Sequence, residues 1–448
     1  MKFEFPKDFL FGCASSACQI ESGCYEGGKG EDVHQHYAPL MPEKYGDNTD
    51  PDRSADFYHK YPEDIKLMQE LGLNAFRFSI SWSRIYPNGP EEVCQAGIDY
   101  YSDMIDKLKA AGIVTFFDLW HCDLPYWVIE KGGLVVPEFI DWFTTYAKTC
   151  FEAFGDRVDY WSTVNEPDIN VKLAYLTAHT APFIKDPDLA YKVCHNMILA
   201  HYKTVKLYKS LGLKGKIGAV TYVVPFFPAS SDPKDIAAAE RYQAEHSGLW
   251  LDPMLKGHYP ELLMNWPYFV EKLPTGANEE LRENFIASDF IGVNYYNSGI
   301  ARYVDDGRFC TQYADDELLK KDAYGFTISP AGIFDALMYL HKTYPGKEIF
   351  ITENGVSRQK TGDYEAELED DYRIIYMREH LRGISRAISA GIPVKGYFHW
   401  SFLDTNEIYA GGYKYIFGLV QVRYETLERV PRKSFSYYQK LISDGFVC

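Results

Sequence analysis

The amino-acid sequence predicts a single (β/α)8 barrel, and three observations support that fold class. Eight short apolar runs, typical of buried strands, recur along the chain. Between them lie longer stretches in which apolar residues recur at helical spacing. Several of these stretches end at a glycine, the residue that most easily adopts the left-handed conformation that ends a helix. A strand-to-helix alternation repeated in this way is the pattern of an α/β barrel.

Each predicted strand and helix follows from its local pattern. The predicted strands are apolar runs, and they cover residues 9–14, 75–79, 113–119, 160–165, 217–223, 290–295, 348–353 and 394–400. The predicted helices have apolar residues at three- and four-residue intervals, and they include residues 61–71, 98–111, 139–154, 189–210 and 371–390. Gly72, Gly112 and Gly391 follow three of these helices and predict their ends.

Length and composition favour one large catalytic domain over residues 1–448. The chain contains no Pro/Gly/Ser-rich linker and no low-complexity block that would separate domains. Its formal net charge of −17 argues against a nucleic-acid or anionic-membrane partner. Aromatic residues make up 16% of the chain, which suits either a large core or a cleft that binds the apolar faces of sugars.

The sequence also predicts where the protein works. No apolar run near residue 1 has the length of a signal peptide, and no run is long enough to span a membrane. The nine cysteines are odd in number and lack the spacing of a zinc site or a disulfide framework. These features predict a cytoplasmic protein, and they leave a homo-oligomer possible.

Two glutamates at matching strand ends carry the functional prediction. Glu353 ends the apolar run that begins at residue 348, and Glu166 follows the run that begins at residue 160. Glycosidic-bond cleavage uses two carboxyl groups, one as proton donor and one as nucleophile. The donor needs a raised pKa, whereas the nucleophile needs partners that keep it ionised, and Arg77 and Tyr296 are candidates for that role. The residues alone do not decide which glutamate does which.

Further polar residues interrupt or follow the apolar runs near their ends. In a (β/α)8 barrel all the strand ends meet at one face, where the chemistry takes place. The residues predicted to gather there are Arg77, His121, Asn165, Glu166, Asn294, Tyr296, Glu353 and Trp400.

Six motifs in the same order resemble glycoside hydrolase family 1, the β-glucosidase family of retaining glycosidases, over essentially the whole chain. They begin at the segment from Phe9 to Glu21 and continue with the Arg77 segment, the His121 segment, Asn165-Glu166-Pro167, the Asn294 segment and Thr352-Glu353-Asn354-Gly355. The resemblance implies a retaining β-glycosidase that hydrolyses β-linked O-glycosides or oligosaccharides, without a metal or cofactor. It also implies carboxyl groups about 5–5.5 Å apart.

The resemblance assigns a role to each candidate residue. It makes Glu166 the acid/base and Glu353 the nucleophile, and Asn165 the partner of the sugar 2-hydroxyl. Arg77, Asn294 and Tyr296 match the residues that support the nucleophile. The remaining sugar-binding residues implied by the family are Gln19, His121, Trp400 and Glu407.

Two departures from the family pattern fall on the predicted sugar pocket. Cys122 stands where the family usually has Trp, and the loop 404–413 is one residue longer than the family's. Either Ile408 or Tyr409 then takes the place of a second Trp. The departures indicate neutral drift or a substituted or disaccharide glycon. Arg423 or Lys414 in the pocket would permit an anionic glycon.

Three other functions stay open at this point. A 6-phospho-β-glycosidase is the nearest alternative, although those relatives usually have a small residue in place of Glu407, which would repel a phosphate. A sugar-binding protein without turnover would have lost a catalytic glutamate, and both are present. Transglycosylation in place of hydrolysis depends on competition by water, which the sequence does not reveal.

Overall fold

The computed structural model describes residues 2–46, 50, 52–305, 312–313 and 320–448. Eight parallel strands form a closed barrel in which each strand pairs with the next along the chain. The last strand closes the barrel by pairing with the first, where Trp400 lies opposite Ala14. The strands are β1 (Leu10–Ala14), β2 (Ala75–Ser79), β3 (Val114–Trp120), β4 (Tyr160–Asn165), β5 (Lys216–Tyr222), β6 (Phe290–Asn294), β7 (Glu348–Asn354) and β8 (Val394–Trp400).

The barrel confirms the predicted fold class, and each predicted strand end lies within one residue of the observed end. Helices on the outside follow the strands and cover them. The principal helices are α1 (Phe57–Leu71), α2 (Gln95–Ala110), α3 (Glu138–Phe154), α4 (Pro187–Ser210), α5 (Leu249–Lys256), α6 (Gly332–Thr343), α7 (Asp371–Ser389) and α8 (Lys433–Asp444).

The predicted helix ends are confirmed, whereas the start of α1 is not. Gly72, Gly112 and Gly391 have φ values of 82°, 74° and 87°, the left-handed conformation expected after a helix. Helix α1 begins at Phe57 and not at residue 61, so Pro62 lies inside the helix. A proline is usually found in the first turn of a helix, so its position in the sequence misplaced this boundary.

Aromatic rings fill the lower interior of the barrel. The ring of Phe116 packs edge-on against those of Phe290 and Phe398, with centroids 5.3 and 5.6 Å apart. Gly12 on β1 makes room for this cluster, since a Cβ there would lie 2.4 Å from the Phe398 ring. The packed rings leave only the upper, C-terminal face of the barrel open for a ligand.

Smaller elements lie in the loops around the barrel. Short strands pair as Phe3–Glu4 with Phe446–Val447, Arg358–Gln359 with Tyr415–Ile416, and Val420–Arg423 with Glu428–Pro431, while Phe226–Pro228, Gly299–Arg302 and Gln312–Tyr313 form a three-stranded sheet. Short helices cover Ala17–Ile20, Val33–Tyr37, Pro42–Tyr45, Trp82–Ile85, Tyr126–Glu130, Pro167–Val171, Pro233–Gln243, Glu261–Met264, Pro267–Lys272 and Ala277–Asn284. Over the described residues, no helix has both the length and the apolar character needed to cross a membrane.

Candidate active site

A cleft of about 700 Å³ opens at the C-terminal ends of the barrel strands. The structure brings the predicted site residues together here. Arg77, Asn165 and Asn294 form hydrogen bonds beneath the cleft floor. The other predicted residues line the cleft itself, and these are Gln19, His121, Glu166, Tyr296, Glu353, Trp400 and Glu407.

Glu166 stands at the sharp turn that follows β4. Its backbone is left-handed, with φ 47° and ψ 58°, and Pro167 begins a new helix directly after it. The N–H of Glu166 donates to the carbonyl of Val220 at 3.0 Å, which ties the turn to β5. Its carboxylate Oε1 accepts a hydrogen bond from Asn294 Nδ2 at 2.8 Å. A left-handed non-glycine residue held this firmly points its side chain into the cleft at some cost in backbone strain.

The surroundings of Glu166 favour its protonated form. Burial raises the pKa of the Glu166 carboxyl well above its usual value, and the nearby carboxylates of Glu353 and Asp168 raise it further. The hydrogen bond from Asn294 opposes this effect but does not cancel it. A carboxyl group that keeps its proton near neutral pH has the property required of a general acid.

Glu353 has the opposite environment, at the end of β7. Its side chain is 4% exposed. Oε1 accepts from Arg77 Nη1 at 2.7 Å, and Oε2 accepts from the Tyr296 hydroxyl at 2.7 Å. Both donors bond most strongly to a carboxylate, and together they fix the orientation of the Glu353 side chain in the cleft.

Arg77 joins the two sides of the site from beneath. Besides Glu353, its fully buried guanidinium donates to Asn165 Oδ1 at 2.7 Å and forms an ion pair with Asp118 at 2.7 Å. Burial alone would raise the pKa of Asp118, but the Arg77 cation holds it below its usual value. Sequence reasoning missed Asp118, although a carboxylate inside the apolar run of β3 was a detectable signal.

A chain of amide hydrogen bonds fixes the orientation of His121. Asn165 Oδ1 accepts from Arg77 and also from Asn294 Nδ2 at 2.9 Å. The amide nitrogen of Asn165 must therefore face His121 Nε2, 3.0 Å away, and donate to it. In the neutral imidazole this places the His121 proton on Nδ1, on the side of Asp118 Oδ2 at 3.5 Å.

Gln19 and Glu407 meet at the far side of the cleft. Gln19 Nε2 donates to Glu407 Oε1 at 3.4 Å, and the Thr405 hydroxyl donates to the same oxygen at 2.6 Å. Burial raises the pKa of Glu407 to about 7. The ring of Trp400 stacks near His121, with centroids 5.7 Å apart. Carboxylate, amide and indole groups around one space suit a polyhydroxylated ring.

Both departures from the family pattern lie on this part of the cleft. Cys122 has a left-handed backbone with φ 70°, and its side chain lines the cleft. Ile408 also lines the cleft, and it packs in a small cluster with Ala38 and Tyr45. The side chain of Tyr409 lies outside the described residues, so the alternative that Tyr409 takes the place of the Trp is not tested.

The idea of a cationic pocket wall is wrong for both residues that suggested it. Arg423 forms ion pairs with Glu365 at 2.7 Å and Glu428 at 3.2 Å, outside the cleft. Lys414 is exposed, and its ammonium lies 5.4 Å from the Tyr415 ring centre. Neither residue lines the cleft. In the described part of the chain, no group of three His, Cys, Asp or Glu side chains is arranged to hold a metal ion.

An aromatic wall on the outer part of the cleft was not predicted. The rings of Tyr296 and Phe326 stack with centroids 5.1 Å apart, and Tyr222 lies 6.3 Å from Phe326. Tyr324 continues the wall at 5.1 Å from Phe326. Tyr222 ends β5, Tyr296 follows β6, and Tyr324 and Phe326 lie in one later segment. Only the high aromatic content of the chain hinted at this wall.

Comparisons with known proteins agree with this geometry. The family model for glycosyl hydrolase family 1 matches residues 1–446. A 1,4-beta-D-glucan glucohydrolase of Thermotoga neapolitana is 36% identical over 99% of both chains. A 6-phospho-beta-glucosidase of Bacillus subtilis is 35% identical over 98% of both chains.

Solved structures show the same similarity in three dimensions. The family 1 β-glucosidase of Thermotoga maritima superposes with a TM-score of 0.94 at 34% identity, over 100% of this chain and 99% of its own. The Thermotoga maritima β-glucosidase in complex with glucoimidazole gives a TM-score of 0.93 at 35% identity, over 99% of each chain. The chain therefore belongs to glycosyl hydrolase family 1 and is a β-glycosidase.

Proposed function

We propose that the protein hydrolyses β-linked O-glucosides by double displacement, with Glu353 as nucleophile and Glu166 as acid and base. The observation that carries this proposal is the contrast between the two carboxyl groups. Glu353 bonds to a cation and a phenol, whereas burial and neighbouring charge raise the pKa of Glu166. Opposite environments for two carboxyl groups in one cleft match the two roles.

In the first step a Glu353 oxygen attacks the anomeric carbon of the bound sugar. The bond from that carbon to the leaving oxygen breaks as Glu166 gives its proton to this oxygen. The product is an alcohol and a glycosyl ester on Glu353. Because the negative charge of Glu353 is now lost, the pKa of Glu166 falls and the residue is ready to act as a base.

In the second step water enters the place of the departed alcohol. Glu166 takes a proton from the water. The water oxygen attacks the anomeric carbon at the same time, and the ester bond to Glu353 breaks. Glu353 leaves as a carboxylate and regains its bonds to Arg77 and Tyr296. Two inversions restore the β configuration, and the mechanism predicts carboxyl groups about 5–5.5 Å apart.

The remaining residues bind and orient the sugar. We assign Asn165 to the 2-hydroxyl, as the family resemblance implies: Arg77 and Asn294 hold its Oδ1, one amide N–H faces His121, and the second N–H is the donor left for the sugar. Gln19 and Glu407 lie together at the far end and suit neighbouring hydroxyls, which Glu407 accepts as a carboxylate. His121 and Trp400 complete this binding group.

A 6-phospho-β-glucoside is the second candidate substrate, since one relative carries that activity in its name. The charges in the cleft do not favour it. Glu407 would lie near the phosphate, and among the described residues that line the cleft Lys172 is the single Lys or Arg. A neutral glycon, plain or substituted beside Cys122 and Ile408, fits the cleft better.

We further propose a single catalytic domain that acts in the cytoplasm. A family match over nearly the whole length supports one domain. Among the described residues Cys13, Cys18, Cys94, Cys150, Cys194 and Cys448 are free thiols, which suits a reducing compartment. Whether copies of the chain associate stays a prediction for sedimentation measurements.

The proposal is tested with nitrophenyl glycosides. We expect Glu353→Ala to abolish turnover of an aryl β-glucoside, because no ester can form. Glu348→Gln, at the opposite end of β7, is the matched control and retains activity. Glu166→Ala should slow substrates with poor leaving groups by about 10²–10⁴-fold and good ones far less. Full activity of Glu353→Ala would refute the nucleophile assignment, and equal losses in Glu166→Ala would refute the acid.

A panel of sugars identifies the glycon. We expect the β-glucoside to be hydrolysed faster than the β-galactoside, β-glucuronide and 6-phospho-β-glucoside. Preference for the phosphorylated sugar would replace the proposed substrate and leave the two-step chemistry intact. Binding of the sugars without any turnover would indicate a binding protein.

A further inference from the structure

A small cavity adjoins the active-site cleft at the residue that follows His121. Its volume is about 30 Å³, and we call it the inner chamber. Cys122, Asn170 and Thr180 line both the cleft and the inner chamber, so these three side chains form the boundary between the two spaces. A volume of this size holds about two or three water-sized groups and is too small for a second sugar ring.

The boundary of the inner chamber includes a departure from the family pattern. Cys122 stands where the family usually has Trp. An indole needs far more space than a thiol, and in a close-packed protein it would take that space from the cleft or from the inner chamber. The smaller side chain therefore brings the inner chamber within reach of a sugar that is bound in the cleft.

The inner chamber borders the 3-hydroxyl of that sugar. In the proposed function the anomeric carbon lies between the two catalytic glutamates, and Asn165 binds the 2-hydroxyl. His121 Nε2 lies 3.0 Å from Asn165 Nδ2, so the next hydroxyl around the ring meets His121 and its neighbour Cys122. Gln19 and Glu407, at the far end of the cleft, are left for the 4- and 6-hydroxyls.

The wall of the inner chamber is neutral and mostly apolar. Leu124, Val171 and Ala174 are among its buried apolar side chains. No Asp, Glu, Lys or Arg of the described residues lines it, and burial lowers the pKa of His34, the one imidazole in the wall. A phosphate or carboxylate would lose its hydration there without gaining a counter-ion, so the inner chamber suits an uncharged group.

One hydrogen-bond donor in this wall lacks an acceptor. Trp120, at the end of β3, is 3% exposed, and its Nε1 has no partner among the described residues. An indole N–H only donates, and buried polar atoms without a hydrogen bond are uncommon in folded proteins. Because Trp120 lines the inner chamber, a ligand atom in the chamber can supply the acceptor.

We propose that the inner chamber binds an acetyl group on the 3-hydroxyl of the glycon, with the ester carbonyl accepting from Trp120 Nε1 and the methyl group packing against Val171 and Ala174. An acetyl group is small and uncharged and offers one carbonyl acceptor, which matches the volume, the neutral wall and the single donor. A methyl ether would leave the indole N–H without an acceptor.

The inference rests on the proposed function and extends its substrate class to 3-O-acetylated β-glucosides. The bond that breaks is still the glycosidic bond, with Glu353 as nucleophile and Glu166 as acid and base. The acetyl ester stays intact, and hydrolysis releases 3-O-acetylglucose.

The test compares nitrophenyl β-glucosides that carry an acetyl group at different positions. We expect the wild type to hydrolyse the 3-O-acetyl glucoside with a kcat/KM about five- to tenfold above that of the plain glucoside, because the carbonyl and the methyl group gain contacts. The 6-O-acetyl isomer is the control for the ester itself and should be no better than the plain glucoside. Short assays below neutral pH keep the acetyl group from migrating between hydroxyls.

Two variants change the inner chamber at residues that do not line the cleft. Trp120→Phe removes the N–H donor and keeps an aromatic ring, so the preference for the 3-O-acetyl glucoside over the plain one should fall about three- to tenfold. Ala174→Leu adds bulk inside the chamber and should remove the preference, while the plain glucoside is hydrolysed as by the wild type. Trp161→Phe is the matched control, because Trp161 Nε1 is also buried without a partner among the described residues but does not line the chamber.

A binding measurement separates affinity from turnover. Calorimetry with the inactive Glu353→Gln should show tighter binding of the 3-O-acetyl glucoside than of the plain one, with the difference reduced in Glu353→Gln/Trp120→Phe. A wild-type kcat/KM for the 3-O-acetyl glucoside no higher than for the plain glucoside would overturn the inference, and so would an unchanged preference in Trp120→Phe. Failure to hydrolyse any aryl β-glucoside, acetylated or plain, would overturn the proposed function instead.

Discussion

At the scale of single residues, Arg77 connects more of the site than either glutamate does. Its guanidinium reaches Glu353, Asp118 and Asn165 at the same time, each at 2.7 Å. Only a planar group with several N–H donors in fixed directions satisfies three acceptors in this way. Arg77 is fully buried, and its cation pairs with both the Glu353 and the Asp118 carboxylates.

Replacement of Arg77 by lysine therefore tests geometry and not charge. We expect Arg77→Lys to lower kcat/KM for an aryl β-glucoside by about 10²–10³-fold, because one ammonium cannot hold Glu353, Asp118 and Asn165 together. Arg84→Lys is the matched control, since Arg84 is equally buried and pairs with Glu21 away from the cleft. Activity of Arg77→Lys within threefold of the control would contradict this role.

The sequence predicted the site residues unevenly, for physical reasons. Glu166 and Glu353 were recognisable because each follows a strand, and strand ends are fixed by hydrophobic pattern. Asp118 was missed because its partner, Arg77, is distant in sequence. The raised pKa of Glu166 depends on burial and on neighbours such as Asp168, which only the folded chain brings close.

At the scale of elements, the loop that follows β8 forms the wall at the far end of the cleft. Glu407 and Gly412 exchange backbone hydrogen bonds at 2.9 and 3.0 Å, which closes the loop and places Ile408 against the cleft. The sequence showed that the loop is longer than usual, but not which side chain faces the sugar. A one-residue insertion in a turn is absorbed by backbone angles that the residue types do not specify.

Glu407 in this loop gives a prediction with a defined pH dependence. Its pKa is about 7, so the free enzyme gains a proton on Glu407 as the pH falls below neutrality. A neutral carboxyl accepts sugar hydroxyls less strongly, and KM for the β-glucoside should therefore rise between pH 7 and pH 5. Glu407→Gln should raise KM about tenfold at pH 8 and remove this rise.

The measurement is KM for nitrophenyl β-glucoside in both proteins from pH 5 to pH 8. Thr405→Val is a useful comparison, because it removes only the hydroxyl that donates to Glu407 at 2.6 Å. That hydrogen bond lowers the pKa of Glu407, so its loss should shift the rise in KM to higher pH. An unchanged pH profile in Glu407→Gln would show that another group controls binding.

At the scale of the whole molecule, the barrel was predictable because its pattern repeats. An error at one strand is corrected by the seven others, because all eight strands pair in chain order around the closed barrel. The connection between β5 and β6 was not predicted in detail. It contains several short helices and a π-helical turn, such as Pro233–Gln243 and Ala244–Gly248, whose hydrophobic patterns are too short to recognise.

Buried carboxyl groups make the stability of the whole molecule depend on pH, and Asp123 shows the effect most simply. Asp123 is 1% exposed, its Oδ2 accepts from the Ser81 hydroxyl at 2.7 Å, and Oδ1 has no partner among the described residues. Burial, with the charge of Asp32, raises the pKa of Asp123 from 3.8 to about 7. Between these values the folded protein binds a proton that the unfolded chain has lost.

The free energy of unfolding should therefore fall as the pH rises from about 4 to about 7, and stay level above that range as far as Asp123 is concerned. Buried histidines such as His201 and His380 act in the opposite direction. Burial lowers their pKa values, so the free energy of unfolding that they contribute is lost as the pH falls. The difference in the free energy of unfolding between the wild type and a variant of Asp123 removes the contribution of these histidines, which is the same in both proteins. Asp123→Asn keeps the shape and cannot ionise, so its stability relative to the wild type should increase from pH 5 to pH 8.

Between pH 5 and pH 8 the gain should be about 3 kcal/mol, because about two units of the change in the Asp123 pKa, from 3.8 to about 7, fall within that range. Urea unfolding of both proteins at pH 5, 6, 7 and 8 measures it. Asp99→Asn, on the surface of α2, is the control and should leave the pH dependence unchanged. If the free energies of unfolding of the wild type and Asp123→Asn changed in parallel with pH, Asp123 would be ionised in the folded protein over the whole range, which would contradict the prediction.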